Sequence, residues 1–145
     1  MLYKGNQREQ TIEARPFVFV PIVVSGLIGA GSYLEPSPAG HGTHLQLGLP
    51  PCFFLELTGY PCPSCGLTTS FAHAVRFQFA EALATQPFGL IFFLLVVLSI
   101  PLSVYFAVRR VSWQAVIDSR AATWTVYLLT AFYLLSWVYK LRTFS

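Results

Sequence analysis

Hydrophobic and polar positions divide this chain into long blocks. Met1 to Arg15 is polar, with Lys4, Arg8 and Arg15 set against Glu9 and Glu13, and predicts a solvated leader without a fold of its own. Pro16 to Leu34 is apolar and predicts a first membrane span. Its end, Gly29-Ala30-Gly31-Ser32, carries small residues that a signal peptidase accepts, but the run approaches full span length and reads as a retained anchor. Residues 35–62 predict an outer loop, because Pro36, Pro38, Gly40, Gly42, Gly48, Pro50 and Pro51 punctuate it too densely for a helix. Within it, Cys52 to Leu57 reads as a short apolar helix or interfacial segment.

Residues 63–85 predict one amphipathic helix. Leu67, Phe71, Val75, Phe79 and Leu83 recur every four residues, opposite a polar stripe of Thr69, His73 and Arg76 that is expected to face headgroups and water. Arg76 at mid-membrane would cost about 2.5–3.5 kcal/mol, so this helix is expected to lie in the interface. Thr85-Gln86-Pro87 is a joint. Phe88 to Val108 then runs 21 residues without a charge, about 31 Å as a helix, and predicts a second span. Pro101 inside it predicts a kink, with Ser99 and Ser103 at hand for freed backbone groups. Residues 109–120 form a basic loop, 121–139 a third span bracketed by Trp124 and by Trp137 and Tyr139 as interfacial anchors, and 140–145 a tail. The expected fold is all-α: one integral membrane domain over residues 1–145, with three transmembrane helices and an interfacial helix carrying a Cys-Pro-x-Cys-Gly motif at its N-terminus.

Composition strengthens the membrane reading. Hydrophobic residues make up 54% and charged residues 10%, where a soluble chain has about 25% charge; the mean hydropathy is +0.58. The net charge of +3 is not gathered into a basic run interleaved with aromatics, so nucleic acid is not an expected partner. The placement of Lys and Arg predicts orientation. Lys4, Arg8, Arg15, Arg109, Arg110 and Arg120 would share one side, against Arg76, Lys140 and Arg142 on the other. The positive-inside rule then puts the N-terminus in the cytoplasm and the cysteines on the outer face.

The chemistry gathers around Cys62-Pro63-Ser64-Cys65-Gly66, with Cys52 upstream. Two thiols three residues apart fit half of a metal site, a redox dithiol, or one arm of a disulfide. Pro63 suits a first helical position, which would place Cys62 at the cap and Cys65 in the first turn, where the helix dipole lowers thiol pKa values. As a zinc knuckle the motif supplies two ligands, and Cys52 with His44 or His41 would complete a closed site. Zinc is thus the candidate ion, on Cys52, Cys62, Cys65 and His44. His73 lies about 12 Å further along a straight helix and cannot share that ion. As a staple, Cys52 would bond Cys62 or Cys65. Redox catalysis is the less favoured reading, since three cysteines leave no second pair to relay electrons.

Cys52, the run Leu57-Thr58-Gly59-Tyr60-Pro61-Cys62-Pro63-Ser64-Cys65-Gly66-Leu67-Thr68, and Ala84-Thr85-Gln86-Pro87 before an apolar span together resemble an uncharacterised family of small bacterial membrane proteins. Its mark is T-G-x-P-C-P-x-C-G-x-T-R with an upstream Cys and a later Asn-Pro; the likeness covers Cys52 to Val97. Thr69 stands where that family usually has Arg, and Gln86 where it usually has Asn. The resemblance implies a multi-pass protein of the bacterial inner membrane with its cysteines at the membrane surface, and implies no reaction. The expected function is non-enzymatic: an accessory or scaffold subunit, partnered by the bilayer and by other membrane protein subunits, with the cysteine cluster as a disulfide or metal staple. Small or polar faces at Ser25/Gly29, Gly26/Ala30 and Thr123/Thr130 support such partners. The alternative is a metal-binding or thiol–disulfide redox protein using Cys62 and Cys65.

Overall fold

The computed structural model describes residues 7–109 and 113–144, so Lys4, Arg110 and the ends of the chain lie outside the described residues. Among those described, the protein is all-helical: α1 (Gln7–Tyr33), a 3₁₀ turn (Thr43–Leu47), α2 (Phe53–Thr58), α3 (Leu67–Val75), α4 (Phe79–Thr85), α5 (Pro87–Val108), α6 (Trp113–Ile117) and α7 (Arg120–Thr143). The first correction concerns the leader, which is helical from Gln7 rather than frayed. Gln, Arg, Glu and Ala are good helix formers, and extending a helix already nucleated costs little.

Two helices, α5 and α7, are long and apolar enough to cross a membrane. In α1, Phe19–Tyr33 is a shorter apolar stretch among the described residues. Of the three expected spans, those over 88–108 and 121–139 have helices of membrane-crossing length, and the first, Pro16–Leu34, has this shorter apolar helix among the described residues. Inside α5, Ser99 and Ser103 donate to the carbonyls of Val96 (2.6 Å) and Ile100 (2.8 Å) rather than to that of Val97, which Pro101 frees.

The expected single helix over 63–85 is the main correction. It resolves into a turn, α3 and α4, with a corner at Arg76–Gln78 where Phe77 takes a left-handed φ of 61°. No Gly or Pro announces that corner. Folding back lets Ala74 and Ala82, both fully buried, meet in the core with Val24, Phe71, Phe93 and Val96. Ser70 Oγ sits beneath the fold, 2.8 Å from the Ala82 carbonyl and 2.9 Å from that of Gln86. Gly89 in α5 makes this crossing feasible: a Cβ there would meet Ser70 Oγ and lie 2.5 Å from Ser70 Cβ.

The polar stripe is not a water-facing face either. Thr69 is fully buried, with Oγ1 2.8 Å from Oγ1 of the equally buried Thr43. Arg76 caps the end of α1, donating to the carbonyls of Gly31 (3.0 Å) and Ser32 (2.8 Å), where a cation also suits the negative end of the helix dipole. His73 pairs with Gln78 Oε1 at 2.8 Å. The Pro/Gly-rich loop is likewise ordered: Gln46 bonds both backbone groups of Glu35, and Ser37 N donates to Thr43 Oγ1.

Candidate functional site

The C-terminal end of α1, the N-terminal end of α5 and the C-terminal end of α7 meet the short helices in one cap. Its lock is a set of side chains from α7. Ser136 Oγ accepts from Phe88 N (3.0 Å), one of the unpaired amides at the start of α5. Trp137 Nε1 donates to the Pro61 carbonyl (2.9 Å) and Tyr139 lies 3.4 Å from the Ala84 carbonyl. These two aromatics, expected as interfacial anchors, are thus also tethers. Lys140, expected in the tail, is buried, and its Nζ donates to the carbonyls of Gly40 (3.2 Å) and Thr85 (3.1 Å).

The cysteine turn lies under this lock. Cys65 N donates to the Cys62 carbonyl (3.0 Å) and Leu67 N to that of Ser64 (3.1 Å), closing a tight turn. Gly66 leaves it with φ 89°, and a Cβ on Gly66 would lie 2.8 Å from the Gly40 carbonyl; a side chain is excluded both by conformation and by space. The carbonyls of the prolines flanking Cys62 are each held from a distance, Pro61 by Trp137 and Pro63 by Gln86 Nε2 at 2.8 Å. Gln86 is fully buried, and its Oε1 has no hydrogen-bond partner among the described residues.

The structure brings together Cys52, Cys62 and Cys65, none in a disulfide, with their Sγ atoms all within 4.8 Å of one another. Cys62 and Cys65 Sγ are 3.2 Å apart. Thiolates at a zinc bond length of about 2.3 Å stand about 3.8 Å from one another in a tetrahedron, which these separations bracket. Cys52 arrives from the N-terminus of α2, the other two from the turn. That turn precedes α3, which begins at Leu67, so Pro63 is not its first residue and neither thiol lies in a helical turn.

The two turn thiols consequently differ. For Cys62, burial raises the pKa, but hydrogen bonds from Ser64, Cys65 and Cys52 outweigh it and the net shift is downward. Cys65 is more deeply buried, and burial, helped by its contacts with Cys62 and Cys52, pushes its thiol up to about 12.

A cavity of about 520 Å³ opens beside the thiols, walled by Leu45, Leu55 and Leu67 and bordered by His41, His44 and Glu56. His44 is not among the clustered ligands: its Nε2 faces the Pro50 carbonyl at 3.2 Å. His41 Nδ1 faces the Ala39 carbonyl at 2.9 Å, and its ring rests against Phe144. His73 lines a different crevice, beside Lys140. Lys140, Gln86 and Trp137 are the site residues that sequence reasoning missed. The one available signal was the position of Gln86, directly before Pro87 at the joint between two helices.

Residues 52–100 match the family model DUF2752, a protein of unknown function. No curated protein and no solved structure matches the chain. The DUF2752 segment opens on Cys52 and closes within α5, so it contains all three thiols, the turn, Ser70, Gln86 and Gly89. Thr43, Trp137 and Lys140, which hold that segment from outside, fall beyond it.

Proposed function

We propose that this chain is a small multi-pass membrane protein whose cap holds one thiophilic metal ion, zinc foremost, on Cys52, Cys62 and Cys65. The convergence of three thiols from two elements carries this reading. The ion's role is structural: α2 buries none of its own residues, and a bond through Cys52 would pin it to the turn at 62–66. A fourth ligand would come from the cavity that the thiols border, as water or, once released from Pro50, as the imidazole of His44.

The three-span arrangement, with the N-terminus in the cytoplasm and the cap on the outer face of a bacterial inner membrane, belongs to the same proposal. Its support is the Lys/Arg asymmetry and the meeting of α1, α5 and α7 ends in one cap, as three antiparallel helices would give. An accessory or scaffold role is supported by the outward face of α7, where Tyr127, Leu128 and Leu135 are exposed to lipid or to a neighbouring helix.

Elemental analysis and intact mass of the detergent-purified full chain test the centre. The expected result is about one equivalent of zinc, three thiols protected from native alkylation, and loss of the ion in Cys52→Ser, Cys62→Ser and Cys65→Ser alike. A metal-free protein two protons light, with one alkylatable thiol, would replace the metal by a disulfide. Labelling of the metal-stripped thiols in intact cells by an impermeant reagent checks the side.

A further inference from the structure

Lys140 is 7% exposed, and no carboxylate among the described residues pairs with its ammonium. Its two hydrogen-bond partners are neutral carbonyls, of Gly40 and Thr85, and the Phe144 ring lies 6.0 Å away. Carbonyls soften the removal of a charge from water without cancelling the charge. Glu81 and His73 line the adjoining crevice. Glu81 is exposed and forms no ion pair with Lys140, and His73 is spent on Gln78. On its other side Nζ stands 3.4 Å from where a side chain on Gly66 would begin, one residue from Cys65.

The charge count of the centre supplies what Lys140 lacks. Binding a divalent ion follows M²⁺ + 3 RSH → M(SR)₃⁻ + 3 H⁺, which leaves one net negative charge on the metal and its three thiolates. Resting on the metal reading above, we propose that Lys140 is the counter-cation of that centre, a positioning residue that reaches from the end of α7 to neutralise its single negative charge. The pair then leaves the ion, its three thiolates and Lys140 with no net charge while the centre is loaded, and it sets a preference for divalent ions over species whose tris-thiolate carries no charge. Trivalent arsenic is such a species: As(OH)₃ + 3 RSH → As(SR)₃ + 3 H₂O is neutral throughout.

That contrast gives the test. Zinc affinity by chelator competition and arsenite affinity are measured on the full chain in detergent for wild type, Lys140→Met, Lys140→Arg and Lys140→Gln. Lys140→Met is expected to weaken zinc about tenfold or more, within the range for residues that support metal ligands, and to leave arsenite unchanged; Lys140→Arg keeps zinc near the wild-type value. Lys140→Gln, which retains a donor for the two carbonyls, gives the same zinc-to-arsenite ratio should the methionine variant fold poorly. Equal losses for zinc and arsenite would make Lys140 a mechanical tether only and overturn the proposal, as would no loss for either. A wild-type chain that binds neither ion would instead overturn the metal centre itself.

Discussion

The cap and the membrane-length parts of α5 and α7 are held by different physics. In the long helices apolar residues face outward in quantity, Leu98, Leu102, Val104, Leu128 and Leu135 among them, and one can replace another with little consequence. In the cap, polar side chains carry single, assigned bonds: Thr43 to Thr69, Ser70 to the carbonyls of Ala82 and Gln86, Gln86 to Pro63, Trp137 to Pro61, Lys140 to Gly40 and Thr85. Composition governs the first region, whereas the second depends on individual atoms.

The comparison breaks most sharply at two glycines. Gly89→Val should cost about 3 kcal/mol or more by forcing α5 off Ser70, seen as a fall of several degrees in the detergent unfolding temperature. Gly29→Ala in α1, where a Cβ meets nothing within 4 Å, should be neutral or stabilise by up to about 1 kcal/mol. A large loss at Gly29 would instead point to a neighbouring helix packed on that face.

Next in size, Arg76→Ala should cost about 2 kcal/mol by uncapping α1 and leaving the Gly31 and Ser32 carbonyls unpaired. Ser70→Ala follows at about 1–2 kcal/mol, against less than about 0.5 kcal/mol for Ser99→Ala in α5, where the hydroxyl only back-bonds its own helix. If both serines cost the same, cap and span do not differ as argued.

The smallest effect concerns reactivity. In metal-stripped protein near pH 7.5, Cys62 should alkylate before Cys65, because the thiolate is the nucleophile and the downward shift at Cys62 enlarges that fraction while a pKa of about 12 suppresses it at Cys65. Peptide mapping after brief exposure reads the order, and equal labelling would mean that the turn does not distinguish them.

Much of the site was legible beforehand. Cys52, Cys62 and Cys65 were readable as one cluster because a Cys-x-x-Cys turn aims two thiols together by local geometry alone. The place of His44 was not legible, since the direction its imidazole takes depends on a single carbonyl, that of Pro50, which its Nε2 faces at 3.2 Å. The corner at Phe77 was invisible because the four-residue apolar repeat runs straight through it; Phe71 of that repeat enters the core, while Phe79 and Leu83 end up exposed on α4.

Hydropathy is a sum over neighbours in the chain, so the sequence by itself determined the two long apolar helices, the all-helical class and the thiol-bearing turn. A polar side chain's partner is chosen by proximity in space, and here the partners lie as far as 100 residues apart, from Lys140 to Gly40. Only the tertiary structure could decide that Arg76 caps α1, that Thr69 and Gln86 are interior, and that the last turn of α7 closes over the cysteines. Those assignments exist only once the helix ends have met and the water that would otherwise satisfy each group has been excluded.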